Sequence, residues 1–323
     1  MTSPVRVGSS YDGPKWTVSQ LVKSPTKVPN LIRTLVKDNL LADNLLRKGP
    51  NAAGGSVVYE QQVAMYAANG AEIVAEFGEI PMTESPMTIP VTAATTKRGL
   101  GFKISKEMET RNDVGRVADE MRMVKNAFQV TWDKVFTNAV TQNPGILTAV
   151  ASNLASGGWA GTGASAGIRK DIANAIYTIQ SQQPTGAQNM DRLGYEPDTL
   201  IIHPSMVALF IDSNEVNSVF LGSPLASESL RYTGKMPKKF LTLDVVTNWR
   251  MSPNWAVVCQ RNAMGFISDE WPLDVTPLRY NEDTQTYRSN ITRRSVLAID
   301  NPKSIILING VQGTSVDPAT FAI

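Results

Sequence analysis

The hydrophobic pattern is strongest between Asp113 and Gln142, where Val114, Val117, Ala118, Met121, Val124, Phe128, Thr131, Trp132, Val135, Phe136 and Ala139 recur at steps of three and four. Those steps draw one stripe down a helix, with Arg116, Glu120, Arg122, Lys125, Asp133 and Lys134 mostly off it. A helix of about 30 residues is roughly 45 Å long, against a typical length of about 11–12 residues. Asn112 and Asp113 supply cap-type side chains at its start, and Asn143-Pro144-Gly145 stops it. Ser105 is placed to cap a shorter helix running to Arg111. Gly115, at about 1 kcal/mol inside a helix, argues against one unbroken rod from Ser105.

Ahead of this helix the pattern thins. Residues 1–50 read as an arm, with Gly, Ser and Pro scattered through the early positions and Tyr11 and Trp16 as the large aromatics. Residues 31–47 predict a short amphipathic helix through Leu31, Ile32, Leu35, Val36, Leu40, Leu41, Leu45 and Leu46. That helix must lie on something, either its own chain or a neighbouring subunit. Strands are predicted over 57–67 and 71–77, joined at the hairpin-type turn Asn69-Gly70. Pro81, Pro86 and Pro90 interrupt the next run; alternation resumes at Ile89, Val91, Ala93 and Thr95 and ends in 97–104. Ile73, Val74, Phe77 and Ile80 are the main large apolar groups of this stretch, too few for a core of its own. A long extended hairpin reaching away from the body is therefore expected, rather than a small β-domain.

Beyond the helix, residues 156–167 are a flexible linker by composition. Residues 168–183 are helical, with Ile168, Ile172, Ala175, Ile176 and Ile179 on one face. An α/β portion follows: a buried strand over 199–203, a helix from Pro204-Ser205 through Phe210, and strands over 241–246, 255–259 and 264–267. Residues 213–239 form a polar surface excursion. Alternation returns over 286–299, breaks at Asn301-Pro302-Lys303, and gives a last apolar strand over 304–308.

Composition adds exclusions. The 323 residues carry 31 basic and 29 acidic side chains for a net charge of +2, which leaves no basic footprint for gripping nucleic acid and no polybasic membrane anchor. No window reaches the roughly 18 apolar residues of a membrane span, and no signal-peptide pattern opens the chain, so a soluble product of a reducing cytoplasm is expected. Cys259 is the one cysteine, in a strand-like run, which rules out an intrachain disulfide and predicts a buried inert thiol. His203 is the one histidine and precedes a proline, where a hydrogen-bonded structural role is expected over a catalytic one. No G-x-S-x-G, H-E-x-x-H, EF-hand or phosphate-loop pattern occurs, and Gly161-x-Gly163 lacks the Gly-Lys-Ser/Thr ending. Asp269-Glu270 and Glu282-Asp283 read as solvated loop charges, and Trp249, Trp255 and Trp271 as core or interface aromatics. No catalytic, cofactor or metal site is predicted; the chain is expected not to be an enzyme.

The order of arm, β-arm, long helix, linker, α/β portion and closing strands resembles the major capsid proteins of tailed bacteriophages with the Hong Kong 97-type fold. The likeness rests most on 71–79 leading through Lys97-x-Gly99-x-Gly101-Phe102-Lys103-Ile104-Ser105-Lys106-Glu107, similar to that family's extended loop returning into its spine helix. Pro197-Asp198-Thr199-Leu200-Ile201-Ile202-His203-Pro204 is similar to its central strand and following helix. The resemblance implies an α+β fold with N-terminal arm (1–50), extended loop (51–103), peripheral domain with spine helix (104–165 and 280–323) and α/β axial domain (166–279). It implies a self-assembling shell of hexamers and pentamers, an icosahedral head enclosing double-stranded DNA, located in the virion and assembled in the host bacterial cytoplasm.

Implied partners are many copies of itself, a scaffolding protein, a portal, an optional decoration protein, and packaged DNA in weak non-specific contact, with no membrane. The arm begins almost at once, so scaffold is expected from elsewhere or removed. The family's founding type joins a loop lysine to a neighbour's asparagine; here no lysine occurs between Lys48 and Lys97, so a noncovalent shell is expected. The hairpin bears Glu72, Glu76, Glu79 and Glu84 with no basic residue between Gly70 and Ala94. Expected inter-subunit contacts are these glutamates with Ile73, Val74, Phe77 and Ile80, laid over a neighbour's Arg111, Arg116 and Arg122. The alternatives are an encapsulin-type compartment enclosing proteins and an α/β enzyme with an unrecognised site.

Overall fold

The computed structural model describes residues 17–24, 27–37, 40–52, 54–61, 73–74, 77–80, 82, 90–152, 154, 157–160, 167–183, 192–213 and 238–313. Helices α1 (Val18–Lys23), α2 (Lys27–Lys37) and α3 (Leu41–Leu45) lead into the short strand β1 (Arg47–Lys48). Strands β2 (Ser56–Glu60) and β3 (Pro90–Ala94) pair with each other, and β4 (Thr96–Ser105) runs into α4 (Lys106–Thr110) and the long α5 (Val114–Thr141). Then come β5 (Leu147–Val150), α6 (Ile168–Gln180), β6 (Thr199–Ile202), α7 (Met206–Asp212), β7 (Lys239–Phe240) and β8 (Leu243–Thr247). The chain closes with β9 (Trp255–Cys259), β10 (Phe266–Val275), β11 (Arg279–Asn281), β12 (Thr286–Ala298) and β13 (Ile305–Asn309).

The predicted rod is present, and its caps are the expected ones. The Asp113 carboxylate accepts from the Arg116 N–H, and the Ser105 hydroxyl accepts from the Met108 N–H at the start of α4. Asn112 separates the two helices at a φ of 51°, a conformation asparagine tolerates. On α5 the buried side is Val117, Met121, Val124, Phe128, Trp132, Phe136 and Val140; Thr131, counted into the stripe, is exposed.

This stripe serves two cores. Val117 through Trp132 pack with Phe102 and Ile104 of β4, Leu273 and Val275 of β10, and Ile291 of β12. Phe136 and Val140 pack instead beneath β9 and β13, against Trp255, Val257, Ile305 and Leu307. The first core lies under a sheet in the order β1-β10-β12-β11, with β4 along the other edge of β12. The second sheet runs β5-β13-β9-β6-β8-β7, and β6, β9 and β13 are buried throughout. Alternate residues of those strands face α6 and α7 on the other side, where Ile172, Ile179, Met206 and Phe210 meet Leu200, Val258 and Ile308. Burial on both faces explains why these strands read as unbroken apolar runs.

Several expectations are corrected. The helix expected over 31–47 is broken: α2 ends at Lys37, Leu40 is extended (φ −80°, ψ 117°), and α3 then gives way to β1. The break has a cause in packing. Val28, Ile32 and Val36 bury in the first core, whereas Leu41, Leu45 and Leu46 bury in the second. The turn at Leu40 lets the two short helices lie on different cores, which α5 reaches by its length alone. The question of which chain covers this segment is also answered, because α1, α2 and α3 lie on their own subunit.

The linker over 156–167 is not free at its described start. Trp159 is buried, its backbone N–H donates to the Val311 carbonyl (2.8 Å), and its indole Nε1–H donates to Asp171 (2.7 Å). A side chain at Gly158 would fall 2.4 Å from the Gly310 oxygen, so the close approach of these two segments requires glycine there. Residues 161–166 lie outside the described residues. The strand over 241–246 begins with a hairpin, turned at Leu241 and Thr242 with φ of 47° and 75°. The strand over 264–267 continues to Val275 through two register shifts that accommodate Pro272. Asp269 and Glu270 therefore sit in a strand, not a loop. Strands β5 and β11, only four and three residues long, lie outside the sequence expectation.

Ile32 is fully buried within its own chain, so Ile32→Ala is expected to destabilise the unassembled subunit by about 2–5 kcal/mol. Urea unfolding at a concentration too low for assembly measures this; an unchanged midpoint would mean that α2 does not dock at home.

Candidate inter-subunit surface

The hairpin between β2 and β3 is anchored at its root. Val57 of β2 buries with Ala52, Phe266, Val296 and Ala298, while Tyr59 meets the Phe266 ring edge-on at 5.5 Å. On the far side of the root, the Thr95 hydroxyl donates to Glu270 (2.6 Å) and accepts from Arg294 Nε (3.1 Å), and Arg294 pairs with Glu270 at 2.9 Å. Glu270, one of the acids expected to be solvated, thus holds the root of the hairpin to the sheet.

Beyond the root the apolar groups among the described residues are exposed. Ile73 and Phe77 are fully exposed (103% and 100%), Ile80 and Met82 nearly so, and Val74 partly. Phe77 also has a φ of 65°, unusual for a bulky side chain. Glu79 is exposed; Glu72, Glu76 and Glu84, and the turn Asn69-Gly70, lie outside the described residues. Arg111, Arg116 and Arg122 are exposed along α4–α5, and Arg122 pairs with Asp119 one turn back at 3.7 Å. Glu107, Glu109, Asp113, Asp119 and Glu120 are interspersed with them.

Opposite the spine, the outer face of the first sheet carries cations that pattern reading did not single out. Strand register sets Lys103 beside Arg288 and Arg288 beside Arg279. Six residues along, Lys97 stands beside Arg294, which stands beside Trp271. Trp271 is half exposed, with Lys97 Nζ 5.0 Å and the Arg294 guanidinium 5.8 Å from its ring centre. An open depression of about 480 Å³ at one end is lined by Thr276, Arg279, Tyr280, Asn281, Glu282, Arg288 and Asn290. Trp249, also read as packed, is exposed against the edge of His203 at 5.8 Å.

The sheet's other face holds a buried ionic knot. Arg293 donates to both carboxylate oxygens of Asp43 (2.9 Å each) and to both of Asp269 (2.9 and 3.2 Å), with its guanidinium 4.9 Å over the Trp132 ring. Burial pulls its pKa down, but the two carboxylates outweigh that and leave it raised. Nearby, Asp133 of α5 accepts from the Leu41 N–H at the start of α3, while its Oδ1 is buried without a partner. Burial pushes Asp133 up to about 6, against the smaller opposing pulls of that hydrogen bond and of Arg250.

The described nucleophiles and acids outside this knot are held in structural contacts. His203 Nδ1 is engaged by the Ser205 hydroxyl (2.7 Å) and backbone N–H (3.1 Å). Cys259 is fully buried and its thiol is pushed up by that burial. Asp171 is committed to Trp159 and Ser152. Among the described residues no group of three His, Cys, Asp or Glu side chains is placed to hold a metal ion, and no helix is long and apolar enough to cross a membrane.

The family described as phage capsid protein matches residues 88–308. No curated protein matches. Among solved structures, a virus-like particle from Pyrococcus furiosus aligns with a TM-score of 0.57 at 12% identity, covering 89% of this chain and 100% of that one. A phage-related protein from Bordetella bronchiseptica aligns at 0.57 and 11%, covering 89% and 98%. A Mycobacterium phage Che8 structure aligns at 0.53 and 13%, covering 84% and 91%. At these identities the likeness is one of fold.

Asp133 is the group here that stability should sense. Its folded pKa near 6 exceeds the unfolded value of about 3.9, so the folded state holds the proton more tightly and stability falls as pH rises from about 4 to 6. Asp133→Asn keeps an acceptor for Leu41 and removes the buried charge. The variant is expected to be more stable at pH 7 by about 1–2 kcal/mol, discounted for partial exposure, with the gain vanishing near pH 4. Thermal melts across that range check it.

Proposed function

The chain belongs to the phage capsid protein family, and on that premise we propose how its copies hold one another in the shell. It is a structural shell protein of a tailed-phage head, with the α+β fold of Hong Kong 97-type capsids, and its place is the virion capsid, among many copies of itself. Enclosure of proteins in an encapsulin-type compartment is not favoured. The proposal is a noncovalent shell of hexamers and pentamers in which the hairpin of one subunit lies on the next.

One observation carries this: Ile73, Phe77, Ile80 and Met82 stand bare on a hairpin whose root is firmly fixed. Each large apolar side chain that becomes buried contributes about 1.5–3 kcal/mol. Four such groups per subunit rival the roughly 4–15 kcal/mol lost when two bodies associate, and a closed shell repeats the contact at every subunit. Val74 and the glutamates 72, 76, 79 and 84 belong to the same contact surface. Their basic counterparts are a neighbour's helix set, Arg111, Arg116 and Arg122, or the cations on the outer sheet. Single exposed ion pairs contribute about 0–1 kcal/mol, so the charges set register more than strength.

As part of this proposal the chain divides into an arm (1–50), the extended loop (51–103), a peripheral domain around the spine (104–165 and 280–323) and an axial domain around the capsomer axes (166–279), with β10 crossing into the sheet of β4 and β12, and β5 and β13 into the sheet of β6 and β9. Residues 214–237 of the polar excursion lie outside the described residues and are assigned by this proposal to the axis. Double-stranded DNA would be met weakly, in keeping with the net charge of +2. A scaffolding protein and a portal complete the partners, with a decoration protein as an optional addition, and assembly takes place in the host cytoplasm. The role is structural rather than enzymatic.

Phe77→Asp is expected to leave the fold and melting temperature of the subunit unchanged while abolishing closed particles in negative-stain micrographs; normal particles would defeat the proposal. Because no lysine lies between Lys48 and Lys97, shells boiled in detergent are expected to run as one monomer band. A ladder of multimers would contradict the noncovalent part.

A further inference from the structure

Charge is divided unevenly along this chain. Residues 1–48 hold eight Lys or Arg and three Asp, a local charge of +5. Residues 49–96 hold five Glu and no basic residue, −5, so the remainder carries the +2 of the whole. Within the arm the cations are gathered further. From Gly13 to Lys37 there are five of them (Lys15, Lys23, Lys27, Arg33 and Lys37) and no Asp or Glu, in a chain whose basic and acidic residues are nearly equal in number. Packing decides where those of α1 and α2 point. The apolar side of the two helices is spent on the subunit's own core, where Val18, Val22, Val28, Ile32 and Val36 are buried. Turned outward are Gln20, Lys23, Lys27, Asn30, Arg33 and Thr34, all exposed. Leu35, at 38%, is the only exposed large apolar side chain described on these helices. Glu109 of α4 stands near Lys23 but is already bonded to Lys106 (2.9 Å).

From this we infer that the outward face of α1 and α2 is a phosphate-contacting surface that meets the packaged double-stranded DNA. The inference rests on the shell reading and names the part of the wall that DNA touches. It also turns the spine side of the first sheet inward, because α1, α2 and α5 all pack on that side. The composition of the face selects the partner. A protein is held mainly by buried aromatic or apolar anchors, and this face offers none beyond Leu35. Duplex DNA needs cations and neutral hydrogen-bonding groups spread along a rod, and yields affinity by releasing counterions from its phosphates. Lys27 and Arg33 are six residues apart, about 9 Å along α2. A duplex presents a charge about every 1.7 Å of its axis, so it can serve both at once. Three described cations per subunit bind weakly alone, which leaves the DNA free to slide during packing, and every subunit of the wall repeats them.

The test labels lysines with a small amine-acylating reagent in DNA-filled heads and in the same heads emptied by nuclease, read by mass spectrometry. Lys23 and Lys27 are expected to be protected in filled heads and to become reactive on emptying. Lys97 and Lys103, on the other face of the sheet, should label alike in both. Equal labelling of Lys23 and Lys27 in the two states overturns the inference. Protection that persists after emptying also overturns it, by assigning the face to a neighbouring subunit or another protein. So does protection confined to DNA-free shells, which assigns it to a protein that leaves before packing. Lys23→Gln, Lys27→Gln and Arg33→Gln together give a second measurement that does not depend on labelling. This variant is expected to form normal shells. Opened shells of it should bind a short duplex with a plot of log affinity against log salt shallower by about 2.7, for three phosphate contacts at about 0.9 each. An unchanged slope overturns the inference, as do folded variant subunits that no longer form shells, since these side chains would then lie between subunits. If the wild-type chain forms no particles, the shell reading has failed and this inference with it. If particles form and Lys23 and Lys27 label alike with and without DNA, only this inference has.

Discussion

A single guanidinium ties together parts of this subunit that lie far apart in sequence. Arg293 of β12 grips Asp43 in α3 and Asp269 in β10, and lies over Trp132 of α5. Four elements converge on one buried cation. Burying a charge is expensive, and a buried pair adds little net stability over an apolar substitute. Its value is in what it forbids: moving α3 or sliding β10 against β12 takes a carboxylate from the buried cation, and rotating the long helix takes away the ring beneath it. Losing one partner of a buried pair typically costs about 3–5 kcal/mol, comparable to much of a domain's total stability. The fork geometry of arginine, with donors enough for both carboxylates, suits it to this position where lysine would not serve.

Around this knot the subunit is organised as two cores threaded on one rod. The upstream half of α5 closes the sheet that bears the hairpin, and its downstream half closes the sheet buried on both faces. Neither core can shift relative to the other without bending α5. The amino-terminal helices reinforce the arrangement, since α2 seals the first core and α3 the second. A rigid body of this kind suits a wall element: load applied to the hairpin passes through Thr95, Glu270 and Arg294 into the sheet and so to the rod.

What could be read from the sequence follows from how local each signal is. The rod was legible because its buried residues repeat within a few positions, and β9 because five consecutive apolar residues admit little else. The hairpin's thinness in large apolar groups was legible but its pairing was not: Ser56–Glu60 pairs with Pro90–Ala94, not with the stretch after Asn69-Gly70, and Ile73, Val74 and Phe77 lie outside any strand. Strand β10 was not, because Asp269, Glu270 and Pro272 break the pattern, and what justifies the acids is a pair of arginines some two dozen residues later. The break between α2 and α3 was hidden for a related reason: Leu40 and Leu41 continue the periodicity while the core they face changes. The cationic rows were least visible of all. Lys97, Lys103, Arg279, Arg288 and Arg294 are scattered over two distant parts of the chain and meet only through strand register. The helix arginines, close together in sequence, drew attention instead.

The uniform sign of the hairpin has a consequence for subunits that have not yet joined. Sticky loops on newly made chains invite clumping by contact between like loops, the commonest encounter in a crowded cell. Here any two such loops approach with the same negative sign, and the nearer they come the more they resist. The glutamates thus act as a chaperone of sorts, leaving grease on display while steering each collision away from its twin.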